Sequence, residues 1–368
     1  MAVWISDYLA DARTNMFNWL RISMLMSLAA VATGGLVGCA EAPVKKDYSN
    51  LVWPLPPDKP RIKYLASYSG QVDFEKDSAK SSLFGDEGGG LGLMKPYGVA
   101  TNKDGSRIYV TDTKMAMLLV FDLKARKVEP LQTDAHGGLN DPVEVRLDSR
   151  DRIYVTDSGR KEVVIYGADG KTVRSFGKSE KLERPSGLAL DEARNRMYVS
   201  DTPTHRILMY DLDGNFQKVF VGERGSDPGQ VNYPINLVVD KSGNLLETDT
   251  GNFRVQVFSP DGQFVKTFGQ LGDAVGSFSR PKGIALDSDG NIYVVDAAFN
   301  NFQIFNGEGQ TLLFVGAMGR EPGMFWLPAG MYIDSADKVY VVDSINARVQ
   351  VFQYLKEQKE VVDEAKKQ

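Results

Sequence analysis

Short apolar segments recur along the chain at a nearly constant spacing. Each recurrence opens on a proline followed by an apolar run, as at residues 281–286 (Pro-Lys-Gly-Ile-Ala-Leu), and another apolar residue stands three positions before each proline. Successive prolines are 46, 43, 49, 47 and 47 residues apart. This period indicates one structural unit written six times. The six prolines are Pro96, Pro142, Pro185, Pro234, Pro281 and Pro328.

Every unit contains further apolar segments of strand length. The second segment ends in aspartate, as at 292–296 (Ile-Tyr-Val-Val-Asp), a third follows, as at 254–258, and a Pro-Asp-Gly turn at 260–262 leads to a fourth. Glycine beside aspartate or asparagine between apolar segments is typical of β-hairpins. The pattern predicts four short antiparallel strands per unit, which is a propeller blade and not a helical repeat. The aspartates are Asp112, Asp157, Asp201, Asp249, Asp296 and Asp343.

The ends of the repeat region indicate how the ring closes. The sixth unit supplies only three strands before the charged segment 356–368, whereas an additional strand, 61–68, precedes the first unit. Pairing that strand with the last blade would remove an exposed sheet edge. We therefore predict an all-β, six-bladed propeller over residues 60–355, with four antiparallel strands per blade, the last blade closed by strand 61–68, and a short, solvated, charged tail.

With these repeats the chain resembles bacterial NHL-repeat lipoproteins, whose repeats form six-bladed β-propellers. The resemblance rests on the Pro-x-Gly-apolar-Ala-apolar-Asp strand at 281–287, on the Tyr-Val-x-Asp segments, and on the Asn/Arg turn with its apolar strand at 252–258. It covers residues 60–355 and implies the fold. It leaves the function open, because propellers of this kind include lyases, lactonases, sensors and binding platforms.

The first forty residues carry a targeting pattern. An apolar run at 22–32 follows Arg21 and ends in small residues, and it is too short to span a bilayer as a helix. Residues 36–39 (Leu-Val-Gly-Cys) resemble a bacterial lipobox, which implies a signal peptide over 1–38 and lipidation of Cys39; the alternative is a buried free cysteine. Acidic residues before the run indicate that translation could begin at Met16. Residues 39–59 are predicted to form a proline-rich tether.

These features predict a lipid-anchored protein of the cell envelope, with the membrane as a partner through the lipid. Ala40 after the cysteine favours the outer membrane, by resemblance to lipoproteins of enteric bacteria. A net charge of -5, together with export, argues against a nucleic-acid partner. One cysteine excludes an intrachain disulfide, and two histidines exclude a zinc site of three histidines. Both His136 and His205 are expected in exposed loops.

The aspartates that end the second strands have two possible roles. Carboxylates from several blades could converge on a metal ion. Because an aspartate occurs in every blade, we favour a scaffold role, in which each carboxylate accepts hydrogen bonds from its own turn. In four blades it could also meet a side chain five residues further on. Those side chains are Arg206, Arg254, Asn301 and Arg348.

Two blades depart from the repeat near the predicted axis. The residue two positions after the proline is glycine in four blades, but it is Glu144 in the second blade and Asn236 in the fourth. A resemblance to gluconolactonase-like propellers implies that such residues help to hold a divalent cation such as calcium, whose preferred ligands are oxygens. The further Asp and Asn ligands of that family have no convincing counterparts here. The alternative is that Glu144 pairs with Arg146, on the same strand face.

Charged and aromatic residues flank the inner-strand prolines. Equivalent positions of all blades should lie at the same end of the ring, so these residues predict a ligand-binding channel mouth that could hold a carboxylated peptide or an anionic glycan. The alternative is a merely solvated rim. The predicted ligand-binding residues are Lys95, Tyr97, Asp141, Glu144, Arg184, Tyr233, Asn236, Arg280 and Lys282.

The sequence contains no complete catalytic constellation. We therefore favour a lipid-anchored binding or scaffolding module that presents a propeller face to a protein, peptide or glycan partner and needs no cofactor. The alternative is a divalent-metal-dependent hydrolase or lyase that uses Glu144 and Asn236.

Overall fold

Six antiparallel sheets follow one another along the chain and confirm the predicted propeller. The computed structural model describes residues 47–48, 50–75, 90–133 and 138–356. The chain divides into two units, 1–47 and 48–368, and the propeller belongs to the second. The predicted signal peptide, Cys39, His136 and the tail beyond Lys356 lie outside the described residues.

Each blade is one sheet, and in blades 1 to 5 the strands run outward from the channel in sequence order. Blades 1 to 3 comprise β3 to β14, blades 4 and 5 comprise β15 to β22, and blade 6 comprises β23 to β25 with the N-terminal β2 and β1. The strands are β1 Val52–Trp53, β2 Ile62–Tyr68, β3 Pro96–Thr101, β4 Arg107–Asp112, β5 Met117–Asp122, β6 Lys127–Pro130, β7 Pro142–Leu147, β8 Ile153–Asp157, β9 Glu162–Tyr166, β10 Thr172–Phe176, β11 Pro185–Asp191, β12 Arg196–Asp201, β13 Arg206–Tyr210, β14 Phe216–Val221, β15 Pro234–Val239, β16 Leu245–Asp249, β17 Arg254–Phe258, β18 Phe264–Phe268, β19 Pro281–Leu286, β20 Ile292–Asp296, β21 Asn301–Phe305, β22 Thr311–Val315, β23 Pro328–Ile333, β24 Lys338–Asp343 and β25 Arg348–Tyr354.

Helical structure in the described residues is confined to single turns. One α-helical turn, α1, spans Val72–Glu75, and three 3₁₀ turns span Glu192–Arg194, Thr202–Thr204 and Thr250–Asn252. Within these residues no helix has the length and apolar character that crossing a membrane requires.

The ring closes where the sequence predicts. β2 pairs antiparallel with β25, from Ile62 opposite Tyr354 to Tyr68 opposite Val349. The innermost strands contact one another in turn, and that of blade 6 contacts that of blade 1. The hydroxyl of Ser344, in blade 6, donates to the Pro96 carbonyl of blade 1 at 2.8 Å. Closure therefore joins the two ends of the repeat region through both backbone and side-chain bonds.

Blade 6 is larger than predicted, because part of the expected tether belongs to it. Val52 and Trp53 form β1, which pairs with β2 and gives this sheet five strands. The Trp53 ring lies edge-on to Phe352 at 5.8 Å, and Tyr48 and Leu51 pack against the same core. The apolar residues of 48–53 thus bury surface on the propeller, so the predicted tether of 39–59 is too long.

The core lies between the blades. The described residues form six hydrophobic clusters, and each cluster joins two neighbouring blades. Buried tyrosines of the second strands, such as Tyr154, Tyr198 and Tyr293, contribute to them. Every sheet is therefore covered on both faces, which explains why its strands read as continuous apolar runs rather than alternating ones.

Closure by β2 leads to a stability prediction. Ile62 is fully buried between blades 5 and 6, whereas its neighbour Lys63 is only half-buried. We expect Ile62→Ala to lower the free energy of unfolding by about 2–5 kcal/mol, because it leaves a cavity at the closing strand. Lys63→Ala should cost less than about 1 kcal/mol. Chemical denaturation measures both, and equal effects of the two substitutions would contradict the closure.

Candidate functional site

The aspartates that end the second strands shape the mouth of the channel. Asp201 accepts the backbone N–H groups of Glu183 and of Arg184, the latter at 2.7 Å. It thereby fixes the segment that leads into Pro185, which lies opposite Asp201 in the sheet. The other five aspartates accept N–H groups of the equivalent segments, which the sequence reasoning did not expect. They are Asp112, Asp157, Asp249, Asp296 and Asp343. The predicted bonds from the aspartate's own turn are present as well, as from the Lys114 N–H to Asp112 at 3.0 Å, and confirm the scaffold role.

Three of the four predicted partners five residues further on are in place. Arg206, Arg254 and Arg348 lie 3.0, 2.9 and 2.8 Å from the aspartate of their own blade. Asn301 faces Asp296 in register, but its side-chain oxygen has no hydrogen-bond partner among the described residues. An arginine reaches the carboxylate from this position because its side chain is longer than that of asparagine.

A cavity of about 500 Å³ opens at the end of the channel where the inner strands begin. Six of the nine predicted ligand-binding residues line it. So do Ser186 and five further hydroxyl residues that the sequence reasoning missed. A serine or threonine directly after the aspartate that ends the second strand, in five blades, was the available signal for those five. The predicted residues are Lys95, Tyr97, Asp141, Arg184, Arg280 and Lys282, and the hydroxyl residues are Thr113, Ser158, Thr202, Thr250 and Ser344.

Positive charge dominates this cavity. Four cationic side chains line it beside one carboxylate, Asp141, and among the described residues none of the four has an ion-pair partner. Burial, followed by the charges of the three other cations, lowers the pKa of Lys282 to about 8. Its Nζ lies 5.1 Å from the centre of the Tyr97 ring, a cation–π contact. The four cations are Lys95, Arg184, Arg280 and Lys282.

Tyr233 does not line the cavity, contrary to the prediction. Its backbone is left-handed, with φ of 55°, and its side chain is 45% exposed. The Tyr233 N–H donates to His205 Nδ1 at 3.1 Å, and the two rings contact each other at a tilt of 59° with centres 4.4 Å apart. The expectation of an exposed His205 is also wrong, because this contact buries the imidazole. Burial lowers the pKa of His205.

Below the cavity the inner strands approach one another closely. A Cβ on Gly98 would lie 2.4 Å from the Val143 carbonyl oxygen, and one on Gly187 would lie 2.0 Å from that of Ile235. Glycine at these positions therefore permits blade-to-blade contact at the axis. Glu144 of blade 2 and Asn236 of blade 4, which stand where the other four blades have this glycine, contact each other across blade 3. Asn236 Nδ2 donates to Glu144 Oε2 at 2.6 Å.

Glu144 is fully buried at this level and pairs with Arg146, as the alternative interpretation of the sequence expected. Arg146 Nη1 lies 2.6 Å from Glu144 Oε1 and also donates to the Val99 carbonyl. Burial raises the pKa of Glu144 to about 7, although Arg146 and the hydrogen bond from Asn236 oppose that rise. A second cavity, of about 180 Å³, includes Arg146 and lies further along the inner strands. The Glu144–Arg146–Asn236 group thus separates the mouth from this lower cavity.

This group does not fit a divalent-cation site. The Glu144 carboxylate already accepts from a guanidinium, from an amide and from the Val145 N–H. Among the side-chain oxygens of this group, Asn236 Oδ1 alone has no hydrogen-bond partner in the described part of the chain. Within the same residues no three His, Cys, Asp or Glu side chains are placed to hold a metal ion. Calcium in proteins takes six to eight oxygen ligands, and the geometry offers far fewer.

The sequence reasoning missed Glu247, which is a fully buried glutamate like Glu144. It is fully buried in β16, where the other five blades have valine. Its Oε1 accepts from Gln256 Nε2 at 3.2 Å, and its Oε2 has no partner among the described residues. Burial, and then the charge of Asp249, raise the pKa of Glu247 well above its ordinary value. Comparing the Tyr-Val-x-Asp segments would have revealed this residue.

Comparisons with known proteins agree with this fold. Residues 177–269 match the SMP-30/Gluconolactonase/LRE-like region, and residues 278–305 and 325–352 match the NHL repeat. A stretch of 42 residues is 45% identical to the human E3 ubiquitin-protein ligase TRIM32. That stretch is 11% of this chain and spans only 6% of the ligase.

Two solved structures illustrate the likeness in three dimensions. A protein of unknown function from Bacteroides thetaiotaomicron has a TM-score of 0.61 at 14% identity, over 80% of this chain and 75% of that chain. The virginiamycin B lyase of Staphylococcus aureus has a TM-score of 0.52 at 13% identity, over 72% of this chain and 98% of the lyase. At such identities the likeness shows the fold alone. The chain is a six-bladed β-propeller with NHL repeats and a gluconolactonase-like region.

The contact across the axis predicts a change in acidity. The Asn236 amide donates to Glu144 and favours its charged form, so Asn236→Ala should raise the pKa of Glu144 above its value of about 7. Carbon-13 NMR titration of glutamate carboxyl groups measures this pKa. Asn301→Ala, which is remote from the axis, serves as the control. An unchanged or lower pKa of Glu144 in Asn236→Ala would contradict the arrangement.

Glu247 predicts a pH dependence of stability. A carboxyl whose pKa is raised by folding binds its proton more tightly in the folded state. Its contribution to stability is complete below the unfolded pKa and is lost as pH rises through the folded pKa. The glutamine of Glu247→Gln cannot ionise. The free energy of unfolding of this variant relative to wild type should therefore increase from pH 4 to pH 8, by up to about 1.4 kcal/mol per pH unit, and thermal denaturation at each pH measures the difference.

The matched control for that series is Glu183→Gln, because Glu183 is exposed. Its stability relative to wild type should stay constant over the same pH range. A constant difference for Glu247→Gln as well would show that Glu247 does not carry this dependence.

Proposed function

We propose that this protein is a lipid-anchored binding module of the bacterial cell envelope, whose channel mouth binds anionic groups of a protein, peptide or glycan partner. The observation that carries the proposal is the convergence of four cationic side chains, without ion-pair partners in the described residues, in one cavity of about 500 Å³. Cations that share a partly desolvated cleft attract anions and repel one another.

The state of Lys282 supports an anionic ligand. The neighbouring positive charges help to lower the pKa of Lys282 to about 8. A bound anion would offset that repulsion and raise the pKa again, so ligand binding and protonation of Lys282 favour each other. The hydroxyl groups around the wall already donate to backbone carbonyls, as Ser158 does to Pro185 at 2.8 Å, so the cations are the groups that would meet a ligand carboxylate.

The anchoring part of the proposal rests on the sequence. Arg21, the apolar run at 22–32 and the Leu-Val-Gly-Cys segment ending at Cys39 support export and lipidation, and Ala40 supports the outer membrane. Lipidation would hold the channel mouth near envelope partners without a membrane-spanning helix. Incorporation of labelled palmitate into the wild-type protein, and its loss in Cys39→Ser, tests this part separately.

Anion binding is tested by calorimetric titration with triglutamate and trigalacturonate, with triglutamine and maltotriose as neutral counterparts. The Arg184→Gln/Arg280→Gln double variant should bind the anionic probes at least about tenfold more weakly, since each guanidinium contact to a carboxylate contributes about 1.5–3 kcal/mol. Affinity should also fall as pH rises through about 8, where Lys282 loses its charge.

The control is Arg224→Gln/Arg320→Gln, which removes the same charge from residues that do not line the cavity. It should leave the affinity within about twofold of wild type. Equal weakening by the two double variants, or equal binding of neutral and anionic probes, would overturn the anion-binding role of the mouth.

A further inference from the structure

Lys282 holds a distinct position within the cavity. It directly follows the inner-strand proline, where the other blades have Tyr97, Val143, Ser186, Ile235 and Ala329. Four of those five residues line the cavity together with Lys282. Lys95, Arg184 and Arg280 instead precede the prolines and lie nearer the rim. This ring, one residue above the Glu144–Arg146–Asn236 group, therefore contains a single amine.

The surroundings of that amine favour its neutral form. Among the described residues, Lys282 Nζ has neither a hydrogen-bond nor an ion-pair partner, and only the Tyr97 ring, 5.1 Å away, favours its charged form. Two guanidinium groups, those of Arg184 and Arg280, line the same cavity. Both burial and nearby positive charge weaken proton binding to an amine. Such desolvated lysines are nucleophiles toward carbonyl carbons.

We propose that Lys282 forms a reversible imine with a small carbonyl compound that carries a carboxylate. The inference rests on the proposed anion-binding function, because the rim cations supply the site for the carboxylate while the amine below them meets the aldehyde or ketone carbon. A cavity of about 500 Å³ accommodates a ligand of this size.

The chemical step balances without an oxidant or a reductant. The neutral Nζ of Lys282 attacks the carbonyl carbon, the C–N bond forms, and the carbonyl oxygen takes a proton from the nitrogen. The resulting carbinolamine loses its hydroxyl group and a second nitrogen proton as water, which leaves a C=N double bond. Protonation of the imine places a positive charge among the rim cations, and the carboxylate of the ligand offsets that charge.

The test traps the imine in the full-length protein with glyoxylate and sodium cyanoborohydride, followed by peptide mass spectrometry. Lys282 should be modified at least about tenfold faster than Lys95, which lines the same cavity at the rim, because burial and the neighbouring cations lower the pKa of Lys282 to about 8. Modification should accelerate between pH 6 and 8. Equal rates at Lys282 and Lys95 would overturn the proposal.

Two further comparisons separate the roles of the amine and of the rim. Propanal, which lacks a carboxylate, should modify Lys282 more slowly than glyoxylate, and the Arg184→Gln/Arg280→Gln variant should abolish that advantage. If propanal and glyoxylate react equally in wild type, the carboxylate requirement fails and the proposal with it.

Lys282→Arg distinguishes this inference from the function on which it rests. The variant keeps a positive charge but has no amine that can form an imine, so its adduct at position 282 should be lost, and the fall of triglutamate affinity as pH rises through about 8 should disappear. Retained triglutamate binding with no trapping at Lys282 in wild type would overturn the imine and leave the anion-binding function standing. Trapping at Lys282 without triglutamate binding in wild type would overturn the proposed function instead.

Discussion

The propeller depends on a buried carboxylate at the end of every second strand. That carboxylate accepts N–H groups of the segment that enters the inner strand, as Asp201 does for Glu183 and Arg184. Burying a carboxylate without hydrogen-bond partners costs free energy. Each aspartate therefore favours the segment conformation that brings the N–H groups to its oxygens. Because those segments carry the residues at the channel mouth, the same bonds that hold the blades together also place the candidate binding groups.

Close packing at the axis limits what the channel can be. Glycines such as Gly98 and Gly187 let neighbouring inner strands approach until no Cβ would fit between them. Glu144 and Asn236, the two exceptions, fill the remaining space with a hydrogen-bonded pair that Arg146 completes. The cavity at the mouth therefore ends at the polar Glu144–Arg146–Asn236 group. A ligand in it meets the rim cations and Lys282, while the carboxylate of Glu144 is already engaged beneath.

The repeat made most of the fold predictable, because a strand that is hard to assign in one copy is assigned by the five equivalent segments in the others. It predicted the blades, closure by β2 and the scaffold aspartates, and the spacing of Glu144 and Arg146 predicted their pairing. It failed where the packing of a single side chain decides. Tyr233 packs against His205 and does not line the cavity, whereas Leu327, at the equivalent position of blade 6 and with a similar φ of 50°, does line it. The pairing of β1 likewise arises from tertiary burial of Trp53.

Charge at the mouth gives the strongest physical reason to regard this end of the propeller as functional. Lys124, elsewhere on the surface, pairs with Asp104 at 2.7 Å, whereas the exposed cations of the mouth, Lys95, Arg184 and Arg280, have no ion-pair partner among the described residues. Here Lys282 lies in a cleft with three other cations, and Asp141, which lines the same cavity, forms no ion pair with any of them. A carboxylate-bearing ligand would offset the repulsion between these cations. The clustering of four cations in one cavity thus explains both the unpaired positive charge of the rim and part of the lowered pKa of Lys282.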